Sequence, residues 1–548
     1  MGKPNVIVIV SDQHRGDWMG CTGNRIVETP HMDAIAAQGT SFTRAYCNSP
    51  LCVPSRMSML TGLYPHINDV YANDDMLRSD LPTWAHAFGL GGYETVLCGR
   101  MHFVGPDQRH GFERRFVGDI THGYPGGPRT DYGVLQGASG QGMRSIRTAG
   151  PGHSPVLEYD EQVVQASERL LAERAAIESG RHTDRQTDKH ANRQANQLTE
   201  HQANQRIDQR MNQLADQHTH QHAAPVRPLL LCIGLYGPHH PYVCPTPYYE
   251  RARAAMKSAD ALSPPDEAPL HPWYAAWRER LGADEISEEQ LLTARACYAG
   301  LISLTDTYVG RILKAARQLP GETRVVYLSD HGDMAGDRGM FWKRNMLEGA
   351  IRVPLLMCTL NGERATGYSS DFPQGRRIDA PVSLVDLAPT FARWAGASGL
   401  PHQAGRDLTP LLVDDEAHTL PSWRERPLYI ELANDKDGIV RTVIREEMKL
   451  VYFAGWDDHL LFDLRRDPDE RHNVWADAAY AKVRSTLLTL IREDDWDPQR
   501  IQSRLDAKEP AQRYLTQWGK EVGMGRLDLW DQPTADRQRY GRTEEAQS

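Results

Sequence analysis

Four short apolar runs along the chain share one design: each ends abruptly in polar residues able to do chemistry. "NVIVIVSDQ" ends in Asp12 and Gln13, and "YETVLCGRMH" ends in Arg100 and His102. "PLLLCIGLYGPHHP" ends in His239 and His240, and "TRVVYLSDHGD" carries Asp330 and His331. Unbroken apolar runs of this length fit strands buried on both faces, the pattern of a parallel sheet covered by helices. Amphipathic stretches lie between them, at residues 31–39, 81–92 and 294–318. Strand and helix patterns therefore alternate, which predicts an α/β fold. In open sheets of this kind the ligand site lies beyond the carboxyl ends of the strands, where all four polar clusters converge.

A different pattern begins near Glu416. "PLYIELA", "IVRTVIREEMKLVYFAG" and "HLLFDLRRD" read as strands separated by turn signals such as "NDKDG". Strands this close, without intervening helices, predict a smaller antiparallel sheet. Residues 1–415 are thus expected to form an N-terminal catalytic domain and 416–548 a C-terminal α+β subdomain, helix-like from about Asp477 and irregular in its tail. One segment stands apart: from Asp184 to Asp216 every fourth residue is Asp, Asn or Glu, with Gln and His filling much of the rest. A four-residue period drifts around a helix of about 3.6 residues per turn and makes no continuous apolar face. Residues 180–224 read as a low-complexity surface insertion, in a place where a loop grows at small entropic cost.

Composition narrows the class. The chain has 548 residues, enough for a large core, and its 40% hydrophobic and 24% charged residues are those of a globular protein. The net charge of −10, with no dense basic block, argues against a nucleic-acid partner. The first apolar run is too short for a membrane span and no cleavage-site pattern follows it, so a soluble cytoplasmic protein is expected. Its eight cysteines are then expected to be free thiols.

Asp12, Asp330 and His331 come from two strand ends that both read "SD". Two hard oxygen donors and an imidazole suit a divalent cation. Calcium fits the oxygens, and His331 leaves room for manganese. The most specific signal is "CVPSRMSMLTG", beginning at Cys52. This C-x-P-S-R run resembles the maturation motif of type I sulfatases, in which the cysteine is oxidised to formylglycine. Other segments resemble the same family in order: "SDQHRGDWMGCTGN", "GRMHFVGPDQRHGFE", "GPHHP", "SDHGDMAGDRGMFWKRNMLEGAIRVPLL" and "MKLVY…HLLFDLRRDPDERHNVW". The resemblance covers most of the chain apart from the insertion. It implies an alkaline-phosphatase-like fold, with a large, mostly parallel mixed sheet between helices and a small C-terminal antiparallel sheet.

The resemblance also implies chemistry and roles. In the family, hydrated formylglycine attacks sulfur, the alcohol leaves, and a covalent sulfate hemiacetal remains. Deprotonating the second hydroxyl then expels sulfate, which neither cysteine nor serine could do. By position, Asp12, Gln13, Asp330 and His331 hold the metal together with the group derived from Cys52. Arg56 orients the nucleophile, and His102 is the base that breaks the hemiacetal. His239 and Lys343 contact the bridging oxygen, with His240 as the alternative to His239. Arg100 stands where the family usually has lysine, offering sulfate a planar fork that keeps its proton. Met57 and Leu63 also depart from the family pattern, which bears on recognition by the maturation enzyme or on local packing.

The expected partners are a small-molecule sulfate ester, the formylglycine-generating maturation enzyme and, through the C-terminal tail, a second copy of the chain. No membrane partner is expected. The choline-sulfatase branch is the nearest in appearance. The segment after the second signature, however, offers only Tyr124 and Tyr132 as aromatic faces for a quaternary ammonium. The alternatives are a phosphonate monoester or phosphodiester hydrolase on the same scaffold, and a non-catalytic binding protein with unmodified Cys52.

Overall fold

The structure is a computed structural model that describes residues 3–179, 226–258, 271–361, 372–414, 416–523, 529–533 and 540–543. The insertion expected at 180–224 lies outside the described residues. The central sheet has eight strands, in the order Arg376–Ile378, Thr40–Phe42, Leu355–Asn361, Glu322–Ser329, Asn5–Asp12, Leu229–Pro238, Glu94–Gly99 and Arg114–Phe116. The four runs singled out in the sequence are its four adjacent middle strands, all parallel. Leu355–Asn361 runs antiparallel to both its neighbours and makes the sheet mixed.

Every residue of Asn5–Asp12 and of Leu229–Pro238 is buried, which is why those strands are apolar without alternation. One helix group, Pro30–Gln38, Pro155–Glu178 and Glu288–Ala316, packs together against the sheet. A second group contains Cys52–Thr61, Trp84–Leu90 and Leu387–Ala395. The helix Cys52–Thr61 has no polar face, because all ten of its residues are buried. Its preceding residue, Leu51, is extended and supplies no side-chain cap, so neither a period nor a cap marked the helix in the sequence.

The C-terminal sheet is a four-stranded antiparallel meander of Leu428–Asn434, Gly438–Arg445, Met448–Phe453 and Leu460–Asp463. It is joined to the body through buried charge. Glu431 pairs with His66 at 2.8 Å, and Lys449 pairs with Glu470 at 2.6 Å and Glu348 at 3.1 Å. The tail, expected to be irregular, is anchored on its own chain where it is described. Trp530 donates its backbone N–H to Asp119 and packs on Tyr159, and Gly541–Arg542 pairs with Gly150–His153. Contacts this short leave no period in the sequence. Among the described residues no helix is long and apolar enough to cross a membrane.

Candidate active site

The carboxyl ends of the middle strands and the start of the Cys52 helix meet in one buried cluster. Asp12, Cys52, Asp330 and His331 are all buried, with one ligand atom from each lying within 4.8 Å of the others. Sγ of Cys52 is 3.2 Å from Nε2 of His331 and 3.6 Å from Oδ1 of Asp12. Nδ1 of His331 donates to the Gly332 carbonyl at 3.0 Å, which leaves the Nε2 lone pair facing the cluster.

Two arginines occupy the other carboxylate oxygens. Arg56 donates from Nε to Oδ2 of Asp330 at 2.8 Å and from Nη2 to Oδ2 of Asp12 at 3.3 Å. Arg100 donates from Nε to the same Asp12 oxygen at 2.6 Å. Oδ1 of Asp12, Nε2 of His331 and the residue-52 side chain are thereby turned inward, beside Oδ1 of Asp330, which accepts the backbone N–H of Gln13 at 3.1 Å and of His331 at 2.9 Å. That donor set fits a divalent cation. Burial works against the Asp12 charge, but the guanidinium groups of Arg100 and Arg56 and the Lys343 ammonium outweigh it and hold the carboxyl well below its usual range.

Arg100 engages four of its five N–H groups within the protein. Besides Asp12, it reaches Oδ1 of Asp119 and Oγ1 of Thr121 from Nη1, each at 3.0 Å, and Nδ1 of His102 from Nη2 at 2.8 Å. The Tyr236 ring lies under its guanidinium, 4.7 Å from the centroid. Burial and then Arg100 push the His102 imidazole well below its ordinary pKa, so the ring stays neutral.

Opposite, Nζ of Lys343 donates to Oε1 of Gln13 at 2.5 Å and to Nε2 of His239 at 2.6 Å. Nδ1 of His239 donates to the His240 carbonyl at 2.6 Å, a consistent tautomer. Burial, then His240 and Lys343, keep His239 neutral. His240 stacks on His239 at 3.9 Å and its Nδ1 faces the Gln13 amide at 3.1 Å. The loop carrying both histidines is re-aimed by an irregularity in the ladder, since Val10 pairs with Gly234 but Asp12 pairs with Pro238. The amides of Tyr236 and Gly237 are taken instead by the Asp160 carboxylate, at 2.7 and 2.8 Å.

All ten residues singled out by sequence thus meet in one site: Asp12, Gln13, Cys52, Arg56, Arg100, His102, His239, Asp330, His331 and Lys343. Sequence reasoning missed the buried carboxylates behind them, namely Asp119, Asp160 and Asp333. It also missed that Gln13, His102, Trp342 and Arg344 all adopt left-handed backbone, with φ between 60° and 71°. Strain in non-glycine residues gathers at functional sites, and no residue-type signal announces it. Met57 and Leu63 are both buried in the core. Tyr132 is buried, and Tyr124 meets Trp518 from the C-terminal helix edge-on at 5.8 Å, an aromatic neighbour not visible in its own segment.

The sheet order is that of the alkaline-phosphatase-like fold, and the buried donor cluster at its strand ends could hold a metal ion. The solved phosphonate monoester hydrolase of Agrobacterium radiobacter shares that fold, with a TM-score of 0.64 at 24% identity, covering 89% of this chain and 95% of its own. The sulfatase family model matches residues 4–397, and that of the N-sulphoglucosamine sulphohydrolase C-terminal region matches 336–495. The chain is 30% identical over 518 residues to the choline-sulfatase of Rhizobium meliloti (strain 1021), covering 90% of this chain and 86% of the relative. It is 26% identical over 498 residues to arylsulfatase K of Homo sapiens, with coverages of 86% and 78%. The chain belongs to the sulfatase family and is a sulfuric ester hydrolase.

Proposed function

We propose that the protein hydrolyses a small sulfate monoester by means of a formylglycine derived from Cys52, releasing an alcohol and inorganic sulfate. The observation that carries this reading is the position of Cys52. It opens a fully buried helix, 3.2 Å from His331 and beside two carboxylates already paired with arginine. Formylglycine in its hydrated form supplies a nucleophilic hydroxyl and a second hydroxyl whose deprotonation expels sulfate, so no water need attack sulfur. A divalent cation, calcium in our reading and manganese as the alternative, supplies positive charge against the sulfate oxygens.

The remaining roles fall to side chains of the chain itself. Asp12, Asp330 and His331 would hold the cation with the residue-52 side chain, whereas Gln13, expected among the ligands, turns its Oε1 to Nζ of Lys343 and its NH2 to Asp333. Arg56 fixes the two carboxylates around the nucleophile. Arg100, with one N–H left beyond its four partners, adds charge against sulfate and sets the orientation of His102. His102 takes the proton of the second hydroxyl. Because Arg100 donates to Nδ1, the neutral ring carries its proton on Nε2 and its one basic lone pair on Nδ1, so Nδ1 takes the proton as the Arg100 contact gives way. Lys343 meets the bridging oxygen of the ester with the one ammonium N–H left over from Gln13 and His239, while His239, expected at the same oxygen, has both ring nitrogens engaged, on Lys343 and on the His240 carbonyl. A cytoplasmic setting belongs to the same reading, in which the seven cysteines other than Cys52 are free thiols.

Parallel assays on a sulfate ester and a phosphodiester with the same leaving group test the proposal. A higher kcat/KM for the sulfate ester is expected. A clear preference for the phosphodiester would transfer the chain to the phosphonate monoester hydrolase reading.

A further inference from the structure

Lys343 sits in an unusual piece of backbone. The residues on either side of it, Trp342 and Arg344, both adopt left-handed conformations, with φ of 67° and 65°. Neither is glycine, so the surroundings must hold the turn in place. The Arg344 end is held by its backbone N–H, which donates to Pro50 at 3.2 Å, and by its guanidinium on Asp437. The Trp342 end is held by Asp333, whose Oδ1 accepts the Trp342 N–H at 3.0 Å and the Ala335 N–H at 2.6 Å.

The second oxygen of Asp333 acts on the lysine by another route. Oδ2 accepts the hydroxyl of Tyr242 at 2.6 Å and the side-chain amide of Gln13. A carboxylate only accepts and an ammonium only donates, so the Gln13 amide has one possible orientation. Its NH2 faces Asp333 and its Oε1 faces Nζ of Lys343, 2.5 Å away. Asp333 is fully buried, and its two oxygens carry four donors. It therefore fixes both the backbone that delivers Lys343 and the acceptor that aims its ammonium toward His239.

We propose that Asp333 is the positioning residue that aims Lys343 at the bridging oxygen of the ester. The inference rests on the reading of Lys343 as the group that eases departure of the alcohol. An Asn at 333 would present an NH2 where every partner is a donor. At least one contact is then lost, and the lysine loses its aim while keeping its charge.

The test is the dependence of kcat/KM on leaving-group acidity, over a series of aryl sulfates extended to an alkyl sulfate. The metal-loaded, formylglycine-bearing protein is used throughout. Lys343→Ala is expected to lose far more on poor leaving groups than on good ones. Asp333→Asn is expected to steepen the dependence in the same sense, with a loss on the poorest leaving group about 10-fold or more above that on the best. Combining the two substitutions adds no more than about twofold to Lys343→Ala alone, because both act through one ammonium. Tyr242→Phe, which removes one donor to Oδ2 and nothing from the cation site, is expected to steepen the series mildly and covers the case in which Asp333→Asn does not fold. An even loss across the series for the folded Asp333→Asn, or losses that multiply in the double variant, overturns the proposal. So does an unchanged series in Tyr242→Phe when that variant alone folds. An even loss in Lys343→Ala overturns the leaving-group reading itself, and this inference with it.

Discussion

Arg100 donates from Nη2 to Nδ1 of His102 across 2.8 Å. An arginine does not surrender its proton, so this contact fixes which nitrogen of His102 is protonated and places a permanent positive charge against the ring. Burial and that charge together lower the pKa of His102. A base must be neutral to act, so the lowered pKa keeps His102 active further into acid. Arg100→Met removes the charge and raises the pKa of the ring, moving the acidic limb of the pH–rate profile to higher pH. Arg100→Lys, which keeps the charge, moves it less. The measurement is kcat against pH for the three proteins, and an unmoved limb in Arg100→Met removes His102 from the base role.

Asp119 stands behind the same pair. It accepts Nη1 of Arg100 on Oδ1 at 3.0 Å and the backbone N–H of left-handed His102 on Oδ2 at 2.7 Å. Asp119→Asn exchanges one acceptor for a donor and loosens either the guanidinium or the ring. Misplacement of catalytic groups by about 1 Å costs about 100-fold, and a fall of that order in kcat/KM is expected while the fold persists by circular dichroism.

Cys52→Ser and Cys52→Ala remove the only precursor of the aldehyde without removing a large packing group. Both variants should fold, with a stability change of about 1 kcal/mol, and both should lose turnover by at least about 1,000-fold. Steady-state assays and thermal unfolding check the two halves separately.

Removal of the cation leaves Asp12 and Asp330 turned inward beside each other. Chelator treatment is expected to abolish turnover and lower the unfolding temperature. Restoring the ion at about 100 times its dissociation constant should return about 2.7 kcal/mol of stability. Comparing calcium with manganese in the same titration identifies the better fit.

Much of this architecture was legible in the chain because burial on both faces forces uninterrupted apolar strands. Asp12, Arg100, His239 and Asp330 stand out because they end those strands. Cys52 stands out because it lies in a distinctive run of residue types. The helix it opens did not, because a helix buried all round has no amphipathic period. Asp119, Asp160 and Asp333 were equally hidden. Each lies in an ordinary polar context, and its importance comes from amides and cations contributed by segments distant in sequence. The anchored tail was hidden for a related reason, since Trp530 and Tyr540 act as isolated plugs rather than as a periodic face.

The central claim is that residue 52 works as formylglycine, and the most direct measurement is the mass of the peptide that carries it, read beside turnover on the same preparations. All ten residues of the helix Cys52–Thr61 are buried, so conversion has to precede folding. Protein produced together with the maturation enzyme is predicted to yield a peptide that has lost its sulfur and gained an aldehyde, with turnover of a sulfate ester rising in proportion to that fraction. Protein folded first and exposed to the enzyme afterwards should keep its thiol and remain inactive. A preparation that hydrolyses the sulfate ester at full rate with residue 52 still entirely cysteine would contradict the account.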